Sequence, residues 1–151
     1  MLAEVHDQDG YPVNRPADPA VWLTPPSLLA AWVAVMDGRV VGHVCLSRSG
    51  PGDAAPELWS ARSGVGADKA AVVNRLFVAP AARGNGIGAL LLQRAVAAAR
   101  ELGRHPVLDV VASDTAAAAL YERLGWRLLD TVDQVWSPEQ TVVVRCYAAA
   151  F

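Results

Sequence analysis

Arg83-Gly84-Asn85-Gly86-Ile87-Gly88 is the run of this chain whose residue types and spacing best suit a defined chemistry. It follows the apolar stretch Leu76-Phe77-Val78 and opens a helical pattern over residues 86–102. That pattern has apolar residues at Ile87, Leu90, Leu91, Ala95 and Ala98, with Gly103 at the stop position. The first turn of a helix has backbone N–H groups with no internal partner, and the helix dipole places partial positive charge there. Glycines remove the Cβ atoms that would hold a phosphate away from those groups. Arg83 adds a two-pronged donor for phosphate oxygens. The segment is thus suited to bind a pyrophosphate.

Other readings compete for the same residues. Asn85-Gly86 alone signals a hairpin, but a long helical pattern follows it. A Rossmann site requires Gly-x-Gly-x-x-Gly, whereas these glycines stand at 84, 86 and 88. A P-loop requires Gly-Lys-Ser/Thr at the helix start, which this run lacks. A purely structural glycine turn is the plain alternative.

The elements that must position this loop are legible on both sides of it. Residues 1–8 suit a short helix. Residues 9–26 contain Gly10 and five prolines, which exclude a long regular element, and residues 27–31 are ambiguous. Residues 32–36 and 40–46 read as strands joined by the hairpin signal Asp37-Gly38. Residues 49–66, rich in Gly, Pro and Ser, read as a long loop. Residues 72–78 form the next strand, ended by Pro80, and residues 107–111 a short buried one. Asp114 is the expected N-cap of a second helix, whose apolar face is Ala117, Leu120, Tyr121 and Leu124 and which Gly125 ends. Residues 126–135 and 141–147 read as a final pair of strands around Ser137-Pro138. The strand-helix-strand unit should be parallel with a right-handed crossover, and the hairpins antiparallel. The fold class is therefore α/β or α+β, with a mixed, mostly antiparallel central sheet and flanking helices, in one domain over residues 1–151.

Composition narrows the function classes. Hydrophobic residues make up 53% and charged residues 19%, which suits a packed domain rather than a disordered chain. The net charge is −2 and no long basic run exists, so neither nucleic acid nor an anionic membrane is an expected partner. No apolar run reaches the ~18 residues of a membrane helix, and residues 1–10 lack the order of a signal peptide. Cys45 and Cys146 each lie in an apolar run without a metal-ligand spacing, so two buried free thiols, a cytoplasmic location and no metal site are expected. His43 reads as structural, and His6 and His105 as surface residues. Trp22 and Trp59 fall in loop regions and are the candidates for a substrate wall. Trp32, Trp126 and Trp136 read as core.

Two motifs in order resemble the GCN5-related N-acetyltransferase (GNAT) superfamily. The first is Leu76-x-Val78-x-Pro80-x-x-Arg83-Gly84-x-Gly86-Ile87-Gly88 followed by Leu90-Leu91, which is similar to the family's acetyl-CoA-binding motif. The second is Asp114-x-x-Ala117-x-x-Leu120-Tyr121-Glu122-Arg123-Leu124-Gly125-Trp126, which is similar to the family's Asn-x-x-Ala-x-x-Leu-Tyr-Glu-Lys-x-Gly-Phe. The hairpin with Val41-Gly42-His43-Val44 is also family-like, so the resemblance covers residues 32–147.

The resemblance implies the acyl-CoA N-acyltransferase fold and transfer of acetyl from acetyl-CoA, as cosubstrate, to a primary amine of a small molecule or peptide. It implies that Leu76, Phe77 and Val78 bond the pantetheine arm through their main chain. It gives the pyrophosphate to Arg83, Gly84, Asn85, Gly86, Ile87 and Gly88. The family's cofactor-touching Asn is here Asp114, which has no amide N–H to give and whose capping role explains it without a ligand. By its pattern alone Tyr121 reads as a core tyrosine, but with the motif around it the resemblance places it at the position of the acid that protonates the leaving thiolate. The family's strand carboxylate has no counterpart in residues 72–75. The general base stays open among Asp53, Glu57, Asp68, Asp109 and a water chain. A non-catalytic acyl-CoA-binding sensor is the competing function, and transfer of a longer acyl chain a third.

Family members open with a strand and a helix before the first hairpin. No strand-like run precedes Asp9, so the expectation is that the first family strand is absent and that residues 1–31 are a shortened, irregular part. An unpaired edge in the hairpin of residues 32–46 would then favour a homodimer or aggregation, unless the proline-rich stretch covers it.

Overall fold

Asp37 and Gly38, with φ of 53° and 75°, make the tight turn that the Asp-Gly pair announces, since this type of hairpin needs positive φ at both central residues. They join β1 (Leu28–Met36) to β2 (Arg39–Arg48). In this computed structural model every residue is described except Gly10, Val13, Arg15 and Phe151, and the side chains of Gln8 and Asp9 also lie outside the description. The other elements are α1 (Leu2–Asp9), α2 (Pro19–Trp22), α3 (Ala54–Ser63), β3 (Ala70–Val78), α4 (Ile87–Glu101), β4 (His105–Val111), α5 (Thr115–Arg123), β5 (Arg127–Ser137) and β6 (Gln140–Ala148).

The six strands form one mixed sheet in the order β1-β2-β3-β4-β6-β5. β3 and β4 are parallel over Ala70–Val72, while β1–β2, β4–β6 and β5–β6 are antiparallel. This is the expected architecture. The chain packs as two compact units: Met1–Ser47 with Val73–Ala97, and Arg48–Val72 with Ala98–Phe151. β3 and α4 each run through both.

In the first unit α1 forms as expected, with Val5 buried. The prolines of residues 9–26 exclude a long helix but not a single turn. Asp18 caps α2 by accepting from the N–H groups of Ala20 and Val21, and Pro19 takes the first helical position, where its missing N–H costs nothing. β1 starts at Leu28 and so resolves the ambiguous residues 27–31. β2 is buried from Val41 to Ser47, with side chains alternating onto two covered faces. Gly42 permits a close approach to α4: a Cβ there would lie 2.9 Å from Leu91 Cδ1 and 3.1 Å from Ile87 Cγ2.

In the second unit the segment expected to be a loop, residues 49–66, contains α3. Pro56 sits in the first turn, where the ring is tolerated, and Ala55, Pro56 and Trp59 are buried against β4, β5 and β6. Tertiary packing makes this helix, since its apolar face is too thin to show as a periodic stripe. Trp59, expected in a loop, is therefore a core residue. Two other placements also differ from expectation. His105 is only 7% exposed because its ring stacks on Trp59 at 5.1 Å between centroids. Trp136 is 40% exposed on the outward face of β5. Cys45 and Cys146 are buried free thiols, as expected.

Candidate functional site

The loop between β3 and α4 belongs wholly to the first unit. Its base is anchored where Ala79 N–H donates to Val41 O at 2.7 Å. Val41, Ala79 and Ala82 form a small core, with Val78, Ile87 and Met1 packed against it. Pro80–Ala82 make one 3-10 turn. Asn85 Nδ2 donates to Ala82 O at 2.9 Å, holding the loop closed across its neck. Gly84 and Gly86 have φ of 83° and 74°, a conformation that strains any residue with a Cβ. A Cβ built at either would meet nothing within 4 Å, so the glycines answer a backbone demand, and the space above them is open. Residues 83–86 are exposed. The first helical bond of α4 is Leu90 N–H to Gly86 O at 3.1 Å, so the N–H groups of Ile87, Gly88 and Ala89 fall in the turn that lacks intrahelical acceptors. Arg83 is folded back, with Nε and Nη2 donating to Val78 O at 3.3 and 3.1 Å.

β3, which carries Leu76, Phe77 and Val78 into this loop, is distorted just before them. Arg75 has φ of 53°, rare for a side chain with a Cβ and costing about 1–3 kcal/mol. Its surroundings compensate. Its carbonyl accepts from His43 Nδ1 at 2.8 Å, its Nε donates to Trp22 O at 3.3 Å, and its guanidinium lies 4.5 Å over the Trp22 ring. Phe77 stacks on His43 at 5.2 Å and meets Tyr11 and Trp22, each at 6.3 Å. Burial lowers the His43 pKa, which agrees with a structural histidine. This aromatic group had no sequence signal, because Tyr11 and Trp22 stand in the aperiodic proline-rich stretch.

The second unit holds the other two predicted site residues. Asp114 caps α5, its Oδ1 accepting from Ala117 N–H at 3.1 Å. Tyr121 is 7% exposed, with its ring against Trp126 at 6.1 Å and Tyr147 at 5.9 Å. The Tyr147 hydroxyl donates to Glu122 Oε2 at 3.1 Å, and its pKa is raised by burial and by that carboxylate. Among the candidate bases, Asp53 Oδ2 accepts from Gly50 N–H at 2.8 Å, and Glu57 and Asp68 are exposed. Asp109 has its pKa raised, first by burial, and its Oδ1 accepts from Ala55 N–H at 3.2 Å. Asp109 thereby holds the start of α3, where Asp53, at the cap position, makes no side-chain cap bond. Among the described residues no group of His, Cys, Asp and Glu is arranged to hold a metal ion.

The family model described as "Acetyltransferase (GNAT) family" matches residues 2–126. The chain belongs to the GNAT acetyltransferase family. Solved acetyltransferase structures resemble it in fold. A ribosomal-protein-alanine N-acetyltransferase from Brucella melitensis is 23% identical with a TM-score of 0.62, over 80% of this chain and 68% of that one. A Bacillus anthracis protein solved in complex with acetyl coenzyme A is 18% identical with a TM-score of 0.62, over 80% and 61%. The ribosomal-protein-S18-alanine N-acetyltransferase from Escherichia coli is 18% identical with a TM-score of 0.60, over 85% and 72%. This GNAT chain thus spans between about three fifths and three quarters of the length of these proteins. No curated protein matches it significantly. No described helix is long and apolar enough to cross a membrane.

Proposed function

We propose that this GNAT chain transfers the acetyl group of acetyl-CoA directly to a primary amine of a small molecule or peptide. The observation behind this reading is the exposed loop of residues 83–86, whose two left-handed glycines open onto the first turn of α4. The pyrophosphate would take the N–H groups of Ile87 and Gly88, with Arg83 swinging from Val78 O to a phosphate oxygen. The main chain of Leu76, Phe77 and Val78 would bond the pantetheine arm, and moving Arg83 would free the Val78 carbonyl for it. Asp114 is retained only as a cap.

The neutral amine attacks the thioester carbonyl carbon. A C–N bond forms, negative charge develops on the carbonyl oxygen, and the C–S bond breaks to release thiolate. Tyr121 is assigned as the donor of the proton to that sulfur. A phenol near pKa ~10 protonates a thiolate near ~8.5 only through a well-placed hydrogen bond. The proton lost by the amine leaves through water or a carboxylate. Two of the structures named above are ribosomal-protein-alanine N-acetyltransferases, so an alanine-bearing ribosomal-protein peptide is one acceptor to test.

A non-catalytic acyl-CoA-binding domain is the second reading. It is favoured by the absence of any carboxylate in the sequence of β3, residues 70–78. Incubation with acetyl-CoA and a panel of amines, following release of free CoA and acetylated product by mass, separates the two. Acceptor-dependent product supports transfer, while CoA binding without product on any amine supports the sensor.

A further inference from the structure

A second site lies within the unit of Arg48–Val72 and Ala98–Phe151 and shares no residue with the glycine loop. It is a cavity of about 220 Å³ where three element ends meet. Arg48 and Ser49 come from the end of β2, Asp68 and Lys69 from the turn entering β3, and Gly103 and Arg104 from the stop of α4.

The chain builds this cavity from fixed backbone. Gly103, at φ 69°, ends α4 in the left-handed conformation, and Arg104 N–H returns to Ala99 O at 2.9 Å. Arg104 is then pinned, its Nη1 donating to Asp68 O at 2.8 Å and Ala70 O at 3.4 Å. Ser49 Oγ donates to Ala67 O at 3.0 Å and ties the rim to the same turn. The Asp68 carboxylate packs on Gly66, where a Cβ would stand 2.5 Å from Oδ1.

The lining holds three cations, Arg48, Lys69 and Arg104, against one acid, Asp68, which leaves two positive charges in surplus on a chain whose net charge is −2. Like charges gathered around one concavity raise the local concentration of anions. A guanidinium held by two carbonyls presents the rest of its planar fork in a set direction, the geometry that suits tetrahedral oxyanions. The volume selects among them. Drug-sized ligands occupy about 300–1,000 Å³, so this smaller cavity suits a single phosphate group rather than a whole nucleotide held inside it.

We propose that this cavity binds a small multivalent oxyanion of the phosphate type, either inorganic phosphate or the phosphate of a small phosphomonoester, and that the anion clamps the ends of β2 and α4 to the start of β3. The proposal stands independently of the acetyl-transfer reading.

The test is thermal unfolding of the whole chain in sodium phosphate or glycerol phosphate, with ionic strength held constant by sodium chloride. Phosphate is expected to raise Tm in a saturable manner, as a ligand of the folded state does. Lys69→Gln and Arg48→Gln, both at exposed positions, are expected to weaken that effect about tenfold or more each, the scale of one charge-assisted hydrogen bond, and to leave the CoA-dependent shift intact. Lys69→Arg should restore the phosphate effect. A larger shift with glycerol phosphate than with phosphate assigns the site to an esterified ligand, and an equal or smaller one to the free ion. No shift beyond that of chloride overturns the proposal, as does a shift that persists in both glutamine variants. A shift abolished by Gly86→Glu would move the anion to the glycine loop and equally overturn it.

Discussion

The Nδ1 of His43 donates to the carbonyl of Arg75 at 2.8 Å, across from β2 to the left-handed residue of β3. A carbonyl only accepts, so this bond fixes the tautomer and leaves Nε2 as the basic nitrogen, 3.7 Å from Cys45 Sγ. The bond also occupies the carbonyl of a residue whose backbone is strained. The ring therefore has to stay neutral to remain comfortably buried. Burial lowers its pKa, the hydrogen bond to Arg75 partly opposes that, and the Arg75 charge adds to the lowering. His105 is lowered in the same way, first by burial, with its bond to Ala149 opposing and Arg100 adding.

Both shifts make stability depend on pH in one direction. A histidine whose folded pKa is depressed binds fewer protons folded than unfolded. Its contribution is complete above the unfolded value near ~6.5 and is lost as pH falls through the folded value. Urea unfolding as pH falls from about one unit above the ordinary histidine pKa near ~6.5 to below it is expected to show falling stability. His43→Gln and His105→Gln should each flatten the slope. A slope unchanged in both variants would assign the loss to other groups.

Acetyl-CoA and CoA are expected to raise Tm with concentration through the loop of residues 83–88. Gly86→Ala isolates backbone strain and should cost about 1–2 kcal/mol while retaining a CoA-dependent shift. Gly86→Glu adds a carboxylate against the pyrophosphate and should abolish the shift. Binding by Gly86→Glu as tight as wild type would mean that the loop is not the site.

Tyr121→Phe is expected to lower kcat about 10²–10⁴-fold, the usual scale of general acid effects, and to leave the CoA-dependent shift in Tm unchanged. The phenol is proposed to act on sulfur only as the C–S bond breaks, so its loss belongs to the transition state. Full turnover in the variant would leave Tyr121 as a packing partner of Trp126 and Tyr147 and no more.

Asp109→Ala removes the carboxylate that receives Ala55 N–H and should destabilise the chain by about 0.5–2 kcal/mol, the range for lost helix caps. The pH dependence has the opposite sign to that of the histidines. Burial raises the Asp109 pKa, so its contribution is fullest below the ordinary carboxylate range near ~4 and declines as pH rises through the raised value. The wild-type advantage over Asp109→Ala should shrink over that rise. A gap that stays constant from acid to neutral pH would show that the carboxyl does not change charge on this interval.

The sequence made legible those features that rest on local chemistry. Asp37-Gly38, Gly84, Gly86 and the stop at Gly125 need backbone conformations that few residue types adopt, the cap at Asp114 needs a short side-chain acceptor, and each appears where those types stand. Features made by tertiary contact were hidden. α3 forms because Trp59 finds His105 and because Asp109, 54 residues away along the chain, accepts at its first turn. The same contact buries His105, whose sequence context alone reads as surface. Trp136 misled in the other direction, since an aromatic in a strand can face either way and β5 turns this one outward. The left-handed Arg75 had no local cue at all, because arginine does not favour that conformation and only His43 and Trp22 hold it there.

The buried sulfurs have a practical consequence for measuring turnover. Cys45 lies under Leu23 O and is pushed up to about 11, and Cys146, beside Asp109, is pushed higher still, first by burial and then by that carboxylate. The thiolate is the reactive form, so near neutral pH the folded chain offers almost no sulfur to a chromogenic disulfide, whereas CoA released from the thioester offers an open one. The chain has only these two cysteines. Colour from such a reagent, read continuously during an acceptor screen, then counts product, and any colour that appears without acetyl-CoA counts molecules that have opened.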